Sequence, residues 1–183
     1  MTLPRLTPVH EIPVPVIETE RLILRGPKGS DFENFAAFRK DPERTKFIGG
    51  PDASDFHVWQ AFTRGIGHWM WHGYGFWTLE DRATGQNIGG VGIVHHLGWS
   101  EPEIGWNVYL GSEGKGYVAE AARAIRPFAY KTWGIGPLIS HIHPENMRSR
   151  AVAERLGATV EQEIQLLGEP CLIYRHPDPA GAE

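Results

Sequence analysis

Apolar and polar residues alternate through RLILR (21–25), the period of a half-buried strand. The period then changes: Phe32, Phe35 and Phe38 recur at helical spacing behind Ser30 or Asp31, either of which can cap a helix. A second helical stretch runs from about Ser54 to His72. It carries Phe56, Trp59, Phe62, Ile66 and Trp69 on one side and is interrupted only by Gly65 and Gly67. Strand periods return at Phe76 to Glu80 and Ile88 to His95, joined through a turn holding Thr84 and Gly85, and a third run follows in EPEIGWNVYL. Such short connections predict an antiparallel meander. From about Gly116 to Trp133 the spacing predicts a helix with Val118, Ala122, Ile125 and Ala129 on one face, and Pro127 inside it removes a backbone donor and should kink it. LISHIH reads as a strand, NMRSRAVAERLGA as a helix closed by Gly157, and TVEQEIQ and CLIYRH as a last pair of strands. The predicted order is β-α-α-β-β-β-α-β-α-β-β. It makes an α/β (α+β) domain with a mixed, mostly antiparallel sheet flanked by helices.

The first 18 residues hold four prolines, Pro4, Pro8, Pro13 and Pro15, so an arm that is loose or strand-like is expected over 1–18, one domain over 19–176 and a tail over 177–183. A chain of 183 residues, 41% hydrophobic, is long enough for one domain with a real core and short for two. A net charge of −4 gives no broad basic field, which argues against nucleic acid as the main ligand. The single cysteine, Cys171, cannot form an internal disulfide. The N-terminus lacks the basic start and apolar core of a secretory leader, so a reduced cytoplasm is expected. No stretch approaches the roughly 20 apolar residues that span a bilayer, so no membrane association is expected.

Candidate chemistry concentrates in YLGSEGKGYVAEA (109–121). A strand, a glycine turn and a helix form an anion-binding arrangement, because the first amides of a helix lack internal partners and the helix dipole adds positive charge there. Gly114, Gly116 and Ala119 also fit the dinucleotide fingerprint G-x-G-x-x-A, and a plain turn with no ligand fits as well. A dinucleotide fold needs repeated βαβ units. Here a three-strand antiparallel run precedes the turn, and only one αβ unit and a hairpin follow it.

GSEGKGYVAEA resembles the acyl-coenzyme A loop of the GNAT superfamily of acetyltransferases, and PENMRSRAVAERLGA resembles the asparagine-serine helix of its Rim-type branch, the ribosomal-protein-alanine N-acetyltransferase group. ETERLILRG, GYGFWTLEDRATGQNIGGVGI and EIGWNVYL are similar to that branch's first strand, central hairpin and the strand leading into the loop. One departure is Gly111, where the superfamily often has Arg or Gln.

The resemblance implies transfer of acetyl from acetyl-CoA, as co-substrate and with no metal, directly to a primary amine, either a protein N-terminus or a small-molecule amine. It also implies that the backbone of Asn107, Val108 and Leu110 pairs with the pantetheine arm, and that the amides of Ser112, Glu113, Gly114, Lys115, Gly116 and Tyr117 hold the diphosphate. Ser149 would protonate the departing thiolate and Asn146 would orient cofactor or strand, although both also suit a helix cap. Glu103 is the candidate base, since it shares a strand face with Gly105 and Asn107, and a plain edge carboxylate is its other reading.

Trp77 and Trp106, among seven tryptophans, are candidate walls of the acceptor pocket, the alternative being core. His95, His141 or His143 could line that pocket and shuttle the amine proton. His68 and His72 have the spacing of a helical zinc pair but lack its glutamate, and His141 and His143 share a strand face without an evident third ligand. Cys171 lies away from both motifs and reads as a small core residue. A coenzyme-binding sensor without turnover and a dinucleotide enzyme remain as rivals, and a homodimer through the sheet edge or terminal hairpin is an open expectation.

Overall fold

The structure, a computed structural model, describes residues 13–178. Eight strands form one sheet: β1 (Ile17–Glu18), β2 (Leu22–Arg25), β3 (Phe76–Asp81), β4 (Asn87–Val94), β5 (Glu103–Val108), β6 (Ile139–Ile142), β7 (Thr159–Leu166) and β8 (Glu169–Arg175). Their order is β1-β2-β3-β4-β5-β6-β8-β7. Every pairing is antiparallel except β5 with β6, and those two neighbours meet at a single register pair, Glu103 with Ile139. One parallel pair in an antiparallel sheet is not the repeated βαβ winding of a dinucleotide fold, which removes that rival.

Five helices flank the sheet: α1 (Phe32–Lys40), α2 (Pro42–Thr45), α3 (Asp55–His72), α4 (Tyr117–Trp133) and α5 (Met147–Arg155). The period-2 pattern explains the main core. Leu22, Leu24, Trp77, Leu79, Val91, Ile93 and Ile104 turn to one face, where Val118, Ala121, Ala122, Ile125 and Ala129 of α4 meet them. Small alanines on α4 let the helix approach the larger strand residues closely. α5 covers a second cluster of Ile142, Ala153, Ala158, Leu172 and Tyr174. On the other face lie α1 and α3. Ser54 caps α3 by accepting from the His57 amide, and Gly73 ends it at φ +74°.

Two expectations change, at Asp31 and at Gly65 and Gly67. Of the arm 1–18, residues 1–12 lie outside the described residues, while Ile17–Glu18 pair with β2 and the Pro15 carbonyl accepts from Trp77 Nε1 at 2.7 Å. Of the tail 177–183, residues 179–183 lie outside them. Asp31 does not cap α1: its carboxylate is buried against Arg25, with oxygens 2.8 and 2.9 Å from the guanidinium. Burial opposes that charge, but the Arg25 bonds together with the Lys28 amide and the Thr78 hydroxyl outweigh it and hold the Asp31 carboxyl below the usual range. Finally, Gly65 and Gly67 do not break α3, whose 18 residues run through both.

Candidate active site

The site is built where β5 and β6 part. Beyond the one register pair, Ser140 Oγ donates to the Ile104 carbonyl at 2.6 Å. Ile104 therefore aims its backbone toward β6, and because backbone groups alternate along a strand, Trp106 and Val108 aim theirs into the same gap. Asn107 faces the other way: its carbonyl approaches β4 so closely that a Cβ at Gly89 would lie 2.4 Å from it. The pantetheine role expected of the Asn107 backbone is thus corrected, since its groups face β4, whereas those of Trp106 turn toward the gap. The Val108 carbonyl accepts from Arg44 Nη1 at 3.1 Å, which leaves the amide as its group for the gap.

At the mouth of the gap the glycine turn leads into α4. Gly111, Gly114 and Gly116 take φ of +84, +74 and +80°, a region that favours glycine, and a Cβ at Gly111 or Gly114 would meet only open space. The turn is tied at both ends. Arg21 Nη1 donates to the Lys115 carbonyl at 2.9 Å and its Nε to Glu120 at 2.6 Å, and Tyr117 Oη donates to Asp81 at 2.8 Å. Glu113 pairs with Arg44 and accepts from the Gly111 amide at 2.8 Å. The Ser112 amide donates to the Tyr109 carbonyl at 3.1 Å, so its expected part in holding a diphosphate is corrected: the donor is already used. Leu110, expected to offer backbone to the same arm, lies exposed just past the end of β5. Arg44 was not legible as a site residue. The only signal was Asp41-Pro42, cap and first turn of a helix too short to carry a period.

Across the gap, Trp106 Nε1 donates to Ser149 Oγ at 3.3 Å, which leaves the hydroxyl its own proton to give. Asn146 caps α5, its Oδ1 accepting from the Ser149 amide at 3.2 Å. Behind the gap, His176 is 1% exposed. Its Nε2 lies 2.9 Å from Ser140 Oγ and its Nδ1 3.3 Å from Arg126 Nη1. Ser140 gives its proton to Ile104 and Arg126 is always a donor, so His176 is neutral with the proton on Nε2. Burial above all, with Arg126 and Arg175 adding, pushes it down to about 4.

Glu103 shares its face with Gly105 and Asn107, as the strand pattern required: a Cβ at Gly105 would lie 3.7 Å from Glu103 Oε1. Its carboxylate is not free, however. Glu103 Oε2 accepts from the His141 amide at 3.1 Å and lies 2.5 Å from His141 Nδ1. With both side chains about nine-tenths buried, the arrangement orients the imidazole with Nδ1 protonated and Nε2 as acceptor. His143 instead stacks on Phe47, with ring centres 5.0 Å apart.

On this face a cleft of about 540 Å³ opens between α1, α3 and strands β3 to β5, with Phe35, Phe38, Phe62 and Phe76 among its walls. His95 lines it, with Nε2 3.1 Å from the Trp99 carbonyl. His68 and His72 stack at 4.3 Å rather than forming an open ligand pair. His68 Nδ1 is held by the Tyr74 carbonyl at 2.8 Å and its Nε2 by the His95 amide at 3.1 Å, so neither nitrogen is free. The two tryptophans are corrected. Trp77 is wholly buried on the α4 face against Trp69, Phe128 and Trp133, and Trp106 packs between the two core clusters. Strand parity sends both rings away from the face that carries Phe76 and Glu103. Cys171 is buried in β8, and burial pushes its thiol up to about 11, far from a reactive thiolate.

A sheet opened at its one parallel pair, with a glycine turn and helix start at the mouth, is the architecture of an acyl-coenzyme A-dependent transferase implied by the sequence motifs. The chain belongs to the acetyltransferase (GNAT) domain family, whose sequence model matches residues 21–159. It is similar to the crystal structure of an acetyltransferase from Agrobacterium tumefaciens str. C58, with 35% identity and a TM-score of 0.81 over 95% of this chain and 99% of that one. It is also similar to the uncharacterized protein YkkB of Bacillus subtilis (strain 168), 31% identical over 105 residues; the match spans 56% of this chain and about three fifths (61%) of that relative. RimL, a ribosomal L7/L12 alpha-N-protein acetyltransferase in complex with coenzyme A, shares the fold at a TM-score of 0.70 and 16% identity, over 87% of this chain and 96% of that one.

Proposed function

We propose that this protein moves the acetyl group of acetyl-coenzyme A directly to a primary amine, a protein N-terminus or a small-molecule amine, in a reduced cytoplasm. The observation that carries the reading is the gap between β5 and β6, into which the Val108 amide and the Trp106 backbone turn and across which Ser149 faces Trp106. When bound, acetyl-coenzyme A supplies an activated thioester. The open cradle at Gly114, with the amides of the α4 start, suits its diphosphate, and the Val108 amide suits the charge that develops on the thioester oxygen. Ser149 gives its proton to the departing thiolate.

An alkyl amine with a pKa near about 10 is mostly protonated at neutral pH, so a base is needed. His141 Nε2 takes the proton, and the Glu103 carboxylate on Nδ1 fixes the tautomer and balances the charge that forms. Glu103 is in this reading a positioning residue rather than the base itself. Direct transfer is supported by the buried, unreactive Cys171.

Thiol release from acetyl-coenzyme A with a panel of amines tests the proposal. The wild type should turn over only with an amine present, and Glu103→Gln should lower kcat by about 10²-fold or more with little change in coenzyme affinity. Tight binding without turnover on any amine would favour the sensor instead. An unchanged rate for Glu103→Gln would remove the pair from the proton route.

A further inference from the structure

We propose that the acceptor held in the α1–α3 cleft is a small amine with an apolar body and a carboxylate, and that Arg64 receives the carboxylate. The inference rests on the acetyl-transfer reading and names its substrate class.

Its first support is the cleft wall. Phe35, Phe38, Phe62, Ile66 and Phe76 give an apolar surface, and a volume of about 540 Å³ suits a small molecule. The second is charge. The charged or titratable groups that border the cleft are Asp31, Arg39, Arg64, Tyr109, whose phenol burial keeps neutral, and the histidines His68, His72, His95 and His96. Asp31 is fully engaged by Arg25 and by the Lys28 amide at 2.7 Å. Arg39 holds Asp52 through two bonds of 2.7 and 2.9 Å. His68 is neutral by its hydrogen bonds, and burial lowers His96 as well. Arg64, exposed at the rim, makes no hydrogen bond or ion pair among the described residues. The cleft therefore offers one uncommitted cation and no uncommitted carboxylate.

The third support is placement. Arg64 stands one turn before His68 on α3, about 6 Å along the axis at 1.5 Å per residue. His68 binds the His95 amide, and the adjoining His96 feels both the Arg64 cation and the Glu103 carboxylate. Arg64 and Glu103 are thus both within electrostatic reach of His96, which lines the cleft. A molecule with an amine at one end and a carboxylate at the other meets a proton acceptor and a cation there. A simple cationic amine would face the Arg64 charge, which the Asp52 carboxylate, already bonded to Arg39, offsets only from outside the cleft.

The test uses matched pairs that differ only in the carboxylate: phenylalanine against phenethylamine, and leucine against isoamylamine, with an alanine-initiated peptide amide alongside. Each is measured by thiol release and by calorimetric binding to the coenzyme A-loaded protein. The carboxylate-bearing member of each pair should have a kcat/KM at least tenfold higher and should also outrun the peptide. Arg64→Gln should bring phenylalanine down to the level of phenethylamine, Arg64→Lys should recover part of the difference, and acetyl-coenzyme A affinity reports that the variants are folded. Equal or faster reaction of the decarboxylated amines or the peptide, or a preference that survives Arg64→Gln, overturns the proposal. Should no amine release thiol, the transfer reading fails, and the calorimetric comparison of phenylalanine with phenethylamine on wild type and Arg64→Gln still decides the ligand.

Discussion

His176 couples the gap to pH. Its neutral ring receives Arg126 on one nitrogen and supports Ser140, hence Ile104, with the other. The folded ring titrates near 4 against an ordinary 6.5. Between those values the unfolded chain binds a proton that the folded chain refuses, so the stabilisation is complete above pH 6.5 and is lost as pH falls toward 4. At about 1.4 kcal/mol per pH unit the loss is on the order of 3 kcal/mol. Urea unfolding at stepped pH should show this decline, and His176→Gln, which keeps a donor and an acceptor, should flatten it. An unaltered slope in the variant would assign the pH dependence elsewhere. Neither His176 nor the Glu103–His141 pair could be read from the sequence as a unit, because 36 and 38 residues separate the partners. The sequence did offer Glu103, Ser149 and the histidines singly. It misplaced Trp77 and Trp106 because an aromatic residue in a strand looks the same whichever helical layer its face meets.

At the scale of elements, periodicity made the helices α1, α3, α4 and α5 and strands β2 to β8 legible. The shortest elements escaped or stayed ambiguous: β1 has two residues, the 3-10 turn Gly29–Asp31 three and α2 four, too few to repeat a period. The glycines were ambiguous because glycine signals both freedom and closeness, and only the neighbours decide which. A Cβ at Gly92 would lie 2.2 Å from Phe76 Cα and 2.4 Å from the Gly75 carbonyl, since β3 enters against it. At Gly67, inside α3, a Cβ would meet nothing within 4 Å. Denaturant unfolding should therefore find Gly92→Ala destabilised by about 1–3 kcal/mol or more and Gly67→Ala stabilised by about 0.5–1 kcal/mol. Equal effects at the two sites would mean that the close approach of β3 is not present in solution.

For the molecule as a whole, the gap follows from topology: a meander whose direction once fails to reverse, at the crossover through α4, sets β5 beside a parallel neighbour that touches it at one residue and then departs. The order of elements implied this arrangement, and the family motif gave it a ligand. The geometry of the gap, with the Trp106 backbone rather than that of Asn107 turned toward it and the Ser112 donor already used, needed the fold. Calorimetric titration with acetyl-coenzyme A, nicotinamide dinucleotides run in parallel, tests the central claim most directly. The account predicts saturable binding of the coenzyme at one site per chain, no binding of the dinucleotides, and at least a tenfold loss of affinity in Gly114→Val, whose side chain would fill the open cradle. Coenzyme binding indifferent to Gly114→Val, or dinucleotide binding without it, would contradict the account.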